Sequence, residues 1–323
     1  MPNTLKKNLW GALFMLSLSQ TALAVQEDCD YATDLLFYAY HLHRQGGDTS
    51  QQKLLLSNSL RFCANQPKVH NTLASILKKQ GKPSEAAHHY KQAIGLHSNF
   101  SEAWDGLGDA YYKQALFPLS LEAYSHACKT DKYSKARIMT LLRNKAYAIT
   151  GKSKVIDKEN LLVLYNHERR QALNKRLSDC GLRDSEVRPL HIFSNLHFES
   201  NKATLREGTE QQLDEIAAAL RQTHSSQVIK VHGHTDAQGF LHVSAAESDR
   251  RNLQLSQERA AAIVTALAQR GIPKTRLKSD GHGSKQPLVQ GTSQGALAAN
   301  RRTEIEVEPV VTKKSEDDIE EYK

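Results

Sequence analysis

The chain has 323 residues, 39% of them hydrophobic and 24% charged, which is ordinary for a water-soluble fold and enough for two or three cored domains. Its formal net charge of +8 at pH 7 favours acidic partners such as anionic polymers or membrane surfaces. Nucleic acid is set aside as a partner, because no zinc-finger spacing, basic helix or RNA-binding signature accompanies that charge.

Residues 1–24 read as a secretory signal. Lys6 and Lys7 form a positive start, Leu9 to Leu16 an apolar core, and Ala22-Leu23-Ala24 a small-x-small cleavage site. The alternative is an uncleaved anchor. The apolar core is short for that role, since a spanning helix needs ~20 apolar residues, and the polar residues Ser17, Ser19, Gln20 and Thr21 cut it off. No Cys marks a lipidation site there. No other segment is expected to span a bilayer, so membrane association is peripheral at most and the predicted location is the periplasm. That compartment permits disulfides among Cys29, Cys63, Cys128 and Cys180.

Residues 25–180 carry a helical repeat. Windows of 34 residues start at Thr33, Pro67 and Ser101. The third holds Trp104, Leu107, Gly108, Tyr111, Tyr124 and Ala127. The second places Leu73, Ala74, Leu77, Gly81, Ala86, Tyr90 and Ala93 in corresponding positions, and the first is weaker. Small residues let antiparallel helices approach, and Pro83 and Pro118 fall where a helix begins. The pattern resembles the tetratricopeptide repeat, which implies a solenoid that recruits a protein partner. The amphipathic stretch Glu159–Leu177 is expected to form one capping helix. If that cap folds back on the third repeat, Cys128 meets Cys180. If the first helix pair is antiparallel, Cys29 meets Cys63. Four free thiols are the alternative.

The polar segment 181–189 is the expected linker, and residues 190–310 alternate. Strands are predicted at 189–198, 227–233, 276–283 and 301–309. Helices are predicted over 203–223, with Leu213, Ile216, Ala217 and Leu220 on one face, and over 257–273, with Ala260, Ile263, Val264 and Leu267 on one face. This is a βαβαββ sandwich of helices on a sheet, so the whole chain is a multidomain α+β protein. The charged residues 311–323 are expected to be disordered.

Three motifs sit at functional positions of that pattern. Gly233-His234-Thr235-Asp236 ends the central strand, Asn252 to Ala260 (NLQLSQERA) opens the second helix, and Asn300-Arg301-Arg302 begins the last strand. Together they resemble the OmpA/Pal/MotB type of peptidoglycan-binding domain over residues 190–308. The resemblance implies peptidoglycan as partner through the diaminopimelate of its stem peptide. Asp236 would take the ammonium group and Arg259 the carboxylate. Thr235, Asn252 and Leu255 would line the site, and Gly233, His234, Asn300, Arg301 and Arg302 would support it. The residues make sense by themselves. With Ser256 as N-cap, Arg259 would oppose the helix dipole at a cost of ~0.3–1 kcal/mol, which a bound anion would offset. An Asp236–Arg259 salt bridge without ligand is the alternative.

Departures from the family pattern mark this chain. Asp236 and Asn252 are sixteen positions apart, roughly twice the family's usual spacing, so Phe240–Arg251 contains an insertion at the pocket rim. Leu297 stands where the family often has Arg, and His232 where it often has an acid. Fifteen histidines raise a metal reading. His232 and His234 point the same way from a strand, with His242 near in sequence, but spacing fixes no third ligand, and no metal or cofactor is expected. His234, Asp236 and Ser256 lack the surroundings of a hydrolytic triad, and Gly281-His282-Gly283 is a turn rather than a phosphate loop. The expected function is a non-catalytic cell-envelope adaptor. The alternative is a wall-anchored stator or secretion-system component with an uncleaved anchor.

Overall fold

The computed structural model describes residues 28–151, 154–183 and 185–309. The signal expected over 1–24 and the tail expected over 311–323 lie outside the described residues. The chain divides into two compact units between Ala115 and Leu116.

The first unit is helical: α1 (28–44), α2 (Thr49–Phe62), α3 (Pro67–Lys79), α4 (Pro83–Leu96) and α5 (Ser101–Lys113). Asp48 caps α2 by accepting from Ser50 N at 3.0 Å. Pro67 and Pro83 occupy first-turn positions of α3 and α4, where a missing N–H costs nothing. Leu73, Ala74 and Leu77 of α3, and Ala86, Tyr90 and Ala93 of α4, are buried where the two helices pack. Cys29 and Cys63 form a disulfide with Cα atoms 4.9 Å apart. Ser59 Oγ donates to Ala32 O at 2.6 Å, tying α2 to α1.

The second unit begins with α6 (Phe117–Ala127) and α7 (Lys132–Arg143), continues through β1 (Ile149–Thr150), α8 (Lys158–Tyr165) and α9 (His167–Asp179), and then enters the sheet region. There β2 (Leu190–Phe193), α10 (Glu210–Leu220), β3 (Ile229–Gly233), α11 (Ala245–Gln269), β4 (Leu277–Gly281), α12 (Gln294–Asn300) and β5 (Thr303–Val307) come in turn. The openings of α2, α4 and α6 fall 34 residues apart, as do those of α3 and α5. The sheet order is β1-β2-β5-β3-β4, with β1–β2 and β3–β4 parallel and the two pairings of β5 antiparallel. Ile229 and Val231 point into the core and alternate with Lys230 and His232. α11 packs on β3 and β4 with Ala260, Ile263 and Leu267 buried.

Three features depart from the expectations. The predicted single capping helix is two, α8 and α9, because Asn166 adopts an extended conformation and its side chain accepts from Arg169 N at 2.9 Å. α8 is buried from Asn160 to Tyr165 and packs on α10 and β2 as well as α6, and Tyr165 OH donates to Ile305 O at 3.1 Å. A fifth strand, β1, joins the sheet, and α12 intervenes before β5. Both are too short to leave a periodic signal. Finally, α11 begins at Ala245, more than ten residues before the expected start. Cys128 and Cys180, at the ends of α6 and α9, form a disulfide with Cα atoms 5.9 Å apart.

Candidate functional site

The site is built where β3 ends under α11. A Cβ at Gly233 would stand 2.1 Å from Ser256 O, and one at Gly281 would stand 2.4 Å from Gln257 N. Only glycine permits that approach. Past β3 the chain stays anchored, because His234 N donates to Arg302 O at 3.1 Å and Thr235 N to Gly283 O at 2.9 Å. Asp236 Oδ1 then accepts from Gln238 N at 3.0 Å, an Asx turn that fixes the carboxylate.

Ser256 does not cap a helix. The cap of α11 is Ser244, whose Oγ accepts from Glu247 N at 3.2 Å. Glu247 in turn pairs with Arg250 and Arg251. The insertion therefore supplies a loop and the first turns of α11, and Ser244-x-x-Glu247 is the capping-box signal that marks the true start. Arg259 lies mid-helix, so the helix dipole and free backbone N–H groups give it no anion site. Ser256 is fully buried. Its Oγ donates to Leu253 O at 2.7 Å and accepts from Gly283 N at 2.8 Å, so it clamps α11 to the turn after β4 and makes no triad with His234.

A cavity of about 660 Å³ opens beside these elements. Thr235, Asp236, Asn252, Leu255 and Arg259 all line it, together with Arg301 and Phe198. Its rim is the segment Gln238–Leu241, held by Phe240 N donating to Ser248 Oγ at 2.8 Å and by Asn252 Nδ2 donating to Gln238 O at 3.4 Å. Asp236 and Arg259 do not pair directly. The partner of Asp236 Oδ2 is Arg301 Nη1. Arg259 lies over the Phe198 ring, 5.1 Å from its centroid, and donates to Lys202 O at 3.1 Å and Glu199 O at 3.5 Å. Burial lowers its pKa, and the nearby Asp236 charge partly counters that. Thr235 Oγ1 is buried with no hydrogen-bond partner among the described residues. A buried donor so placed calls for a partner.

The remaining motif residues lie behind this surface. Asn300 holds Val289 at both ends of its amide, at 3.0 and 2.9 Å. Arg302 is buried and donates to Glu304 and to Gln286 O. His234 is buried and stacks on His282 with centroids 4.9 Å apart. Burial, with Arg302 nearby, pushes its pKa down to about 3, so the ring is neutral. The ring beside His232 is His282, at 5.1 Å between centroids; His242 belongs to the rim loop with a left-handed φ of 60°. Phe198-x-Ser200 belongs to the family resemblance, but it is the fold that brings Phe198 and Glu199 against Arg259.

This arrangement is that of an OmpA family domain: residues 197–301 match the OmpA family. Among similar proteins, the probable lipoprotein YiaD of Escherichia coli (strain K12) is 29% identical over 121 residues, 38% of this chain and 51% of that protein. Outer membrane protein A of Bordetella avium is 32% identical over 110 residues, 34% of this chain and 52% of that protein. The peptidoglycan-associated lipoprotein of Buchnera aphidicola is 25% identical over 122 residues, 38% of this chain and 65% of that protein. The chain thus spans about half the length of the first two of these relatives. Among the described residues no helix is long and apolar enough to cross a membrane.

Proposed function

We propose that the protein is a non-catalytic periplasmic component of the cell envelope whose C-terminal domain holds peptidoglycan by the diaminopimelate of the stem peptide. The observation that carries this reading is one cavity lined by an acid (Asp236), a cation (Arg259) and an unpartnered hydroxyl (Thr235). A zwitterionic amino-acid head presents the complementary groups. Its ammonium joins Asp236 beside Arg301, and its carboxylate meets Arg259, whose donors otherwise reach, among the described residues, only the backbone carbonyls of 199 and 202. Thr235 adds a donor to that carboxylate, while Asn252 and Leu255 shape the wall. Similarity to a protein named for its association with peptidoglycan supports the same reading. The helices of residues 25–180 serve to recruit a protein partner, a role suggested by their 34-residue period.

Co-sedimentation of the full chain with diaminopimelate-type sacculi tests the site. Asp236→Ala and Arg259→Ala each remove a charge-assisted contact and leave the opposing ligand charge unpaired, a loss of ~2–5 kcal/mol in a desolvated pocket. Both variants are expected to stay in the supernatant with circular dichroism unchanged. Thr235→Val is expected to weaken binding by less, since it deletes one hydrogen bond. Pelleting of both charge variants with sacculi as well as the parent would sink the assignment.

A further inference from the structure

The sheet face turned away from α11 carries a second cluster. His232 on β3 lies beside Asp280 on β4 in the parallel register. His282, just past β4, is fixed by its backbone N–H, which donates to Gly233 O at 3.0 Å. His232 Nδ1 lies 3.0 Å from His282 Nε2, and that same nitrogen is 3.8 Å from Asp280 Oδ2. The three ligand atoms all fall within 4.8 Å of one another. Tetrahedral zinc with Zn–N of about 2.0–2.1 Å needs neighbouring ligand atoms roughly 3.3 Å apart. The two measured separations bracket that value. None of the three residues lines the cavity described above.

We propose that His232, Asp280 and His282 form a binding site for a divalent transition metal, with Zn2+ the ion that suits this two-imidazole, one-carboxylate set. The two imidazoles decide the class of ion, because imidazole suits zinc, copper and nickel, whereas calcium and magnesium take oxygen ligands alone.

The surroundings agree. Glu306 Oε2 lies 3.8 Å from His232 Nε2. A carboxylate on the outer nitrogen favours the tautomer whose Nδ1 lone pair faces inward, as behind many metal-bound imidazoles. His234 is buried and stacks on the far ligand at 23° between planes, which restrains rotation of the His282 ring. The side chains of His232 and His282 remain 16% and 20% exposed and that of Asp280 64%, so an ion reaches them from solvent. Three protein ligands leave a further coordination position open, as in exchangeable rather than closed structural sites.

Zn2+ titration of the full chain, purified oxidised from the periplasm and stripped with a chelator, tests this. Isothermal titration calorimetry is read against His232→Ala and His282→Ala, because other histidines, including the His70–His89 pair at 3.0 Å, also attract zinc. Each variant is expected to lose one Zn2+ equivalent per chain. Glu306→Gln keeps all three ligands and is expected to weaken that equivalent by ~10-fold. Asp280→Asn, at an exposed position, keeps the test open if a histidine variant misfolds. It too is expected to lose the equivalent or bind it at least ~10-fold more weakly. Nitrogen-15 shifts of the His232 and His282 rings on adding Zn2+ give an independent reading. Unchanged stoichiometry and affinity in the variants, or ring shifts absent at saturation, would overturn the proposal and leave a plain imidazole–imidazole hydrogen bond.

Discussion

At the scale of single residues, His191 shows how burial sets a pH limit. It is fully buried on β2, with Nε2 2.6 Å from Thr150 Oγ1, and desolvation pushes its pKa down to about 3. The unfolded chain binds that proton near pH 6.5 and the folded chain does not. Its contribution to stability is therefore complete above about pH 6.5 and falls as the pH drops toward 3. Between pH 6.5 and 5 the loss is about 2 kcal/mol, from ~1.4 kcal/mol per pH unit. Urea midpoints at several pH values should show a smaller acid dependence for His191→Gln than for the parent, and an equal dependence would mean that other groups dominate. Sequence pattern put His191 in a strand but could not reveal its neutrality, since Thr150 comes from a segment 41 residues earlier. Arg259 is the reverse case. Its place near Asp236 was expected from the motif and is where the fold puts it, at the same cavity, whereas its partners were not legible, because Phe198, Glu199 and Lys202 reach it through the turn after β2.

At the scale of elements, the insertion is the informative piece. The sequence marked it as a rim loop, and half of it is helix. The loop that remains is fastened to α11 by the bond from Phe240 N to Ser248 Oγ. Ser248→Ala removes that acceptor and leaves the Phe240 N–H without its protein partner, a cost of about 1 kcal/mol. Hydrogen exchange is expected to quicken at Gln238–Val243 while β3 and the rest of α11 stay protected, and affinity for sacculi is expected to change. Unaltered exchange in the loop would show that the bond is not what holds the rim. The misplaced helix start has a clear cause. Ser256 has the residue type of a cap, but Ser244 is the residue whose side chain caps the helix, by accepting from Glu247 N, and a helix once begun propagates more readily than a new one nucleates.

At the scale of the molecule, two disulfides brace two compact units separately. Cys29–Cys63 spans 34 residues within the first unit and Cys128–Cys180 spans 52 within the second. Each closes a long loop of the unfolded chain, so each contributes ~2–4 kcal/mol. Replacing Cys29 and Cys63 by Ala is expected to raise exchange in residues 28–115 and leave the sheet protected. Replacing Cys128 and Cys180 should raise it in α6, α8 and α9. Uniform protection in both double variants would show that the bonds are dispensable. The second pair belongs with the sheet because α8 is buried from Asn160 to Tyr165 and packs on β2 and α10 as well as α6.

Local pattern made legible the α+β class, the 34-residue helical period, four of the five strands and the motif segments that line one cavity with Asp236. Each of these rests on local periodicity, glycine placement or a contiguous motif, signals that survive without knowledge of neighbours. Tertiary structure decided the rest. It paired Asp236 with Arg301, gave Arg259 its carbonyl partners, broke the cap at Asn166, added Ile149–Thr150 to the sheet and brought His282 against His232. All of these depend on segments distant in sequence meeting across one core, where burial and backbone approach override local preference.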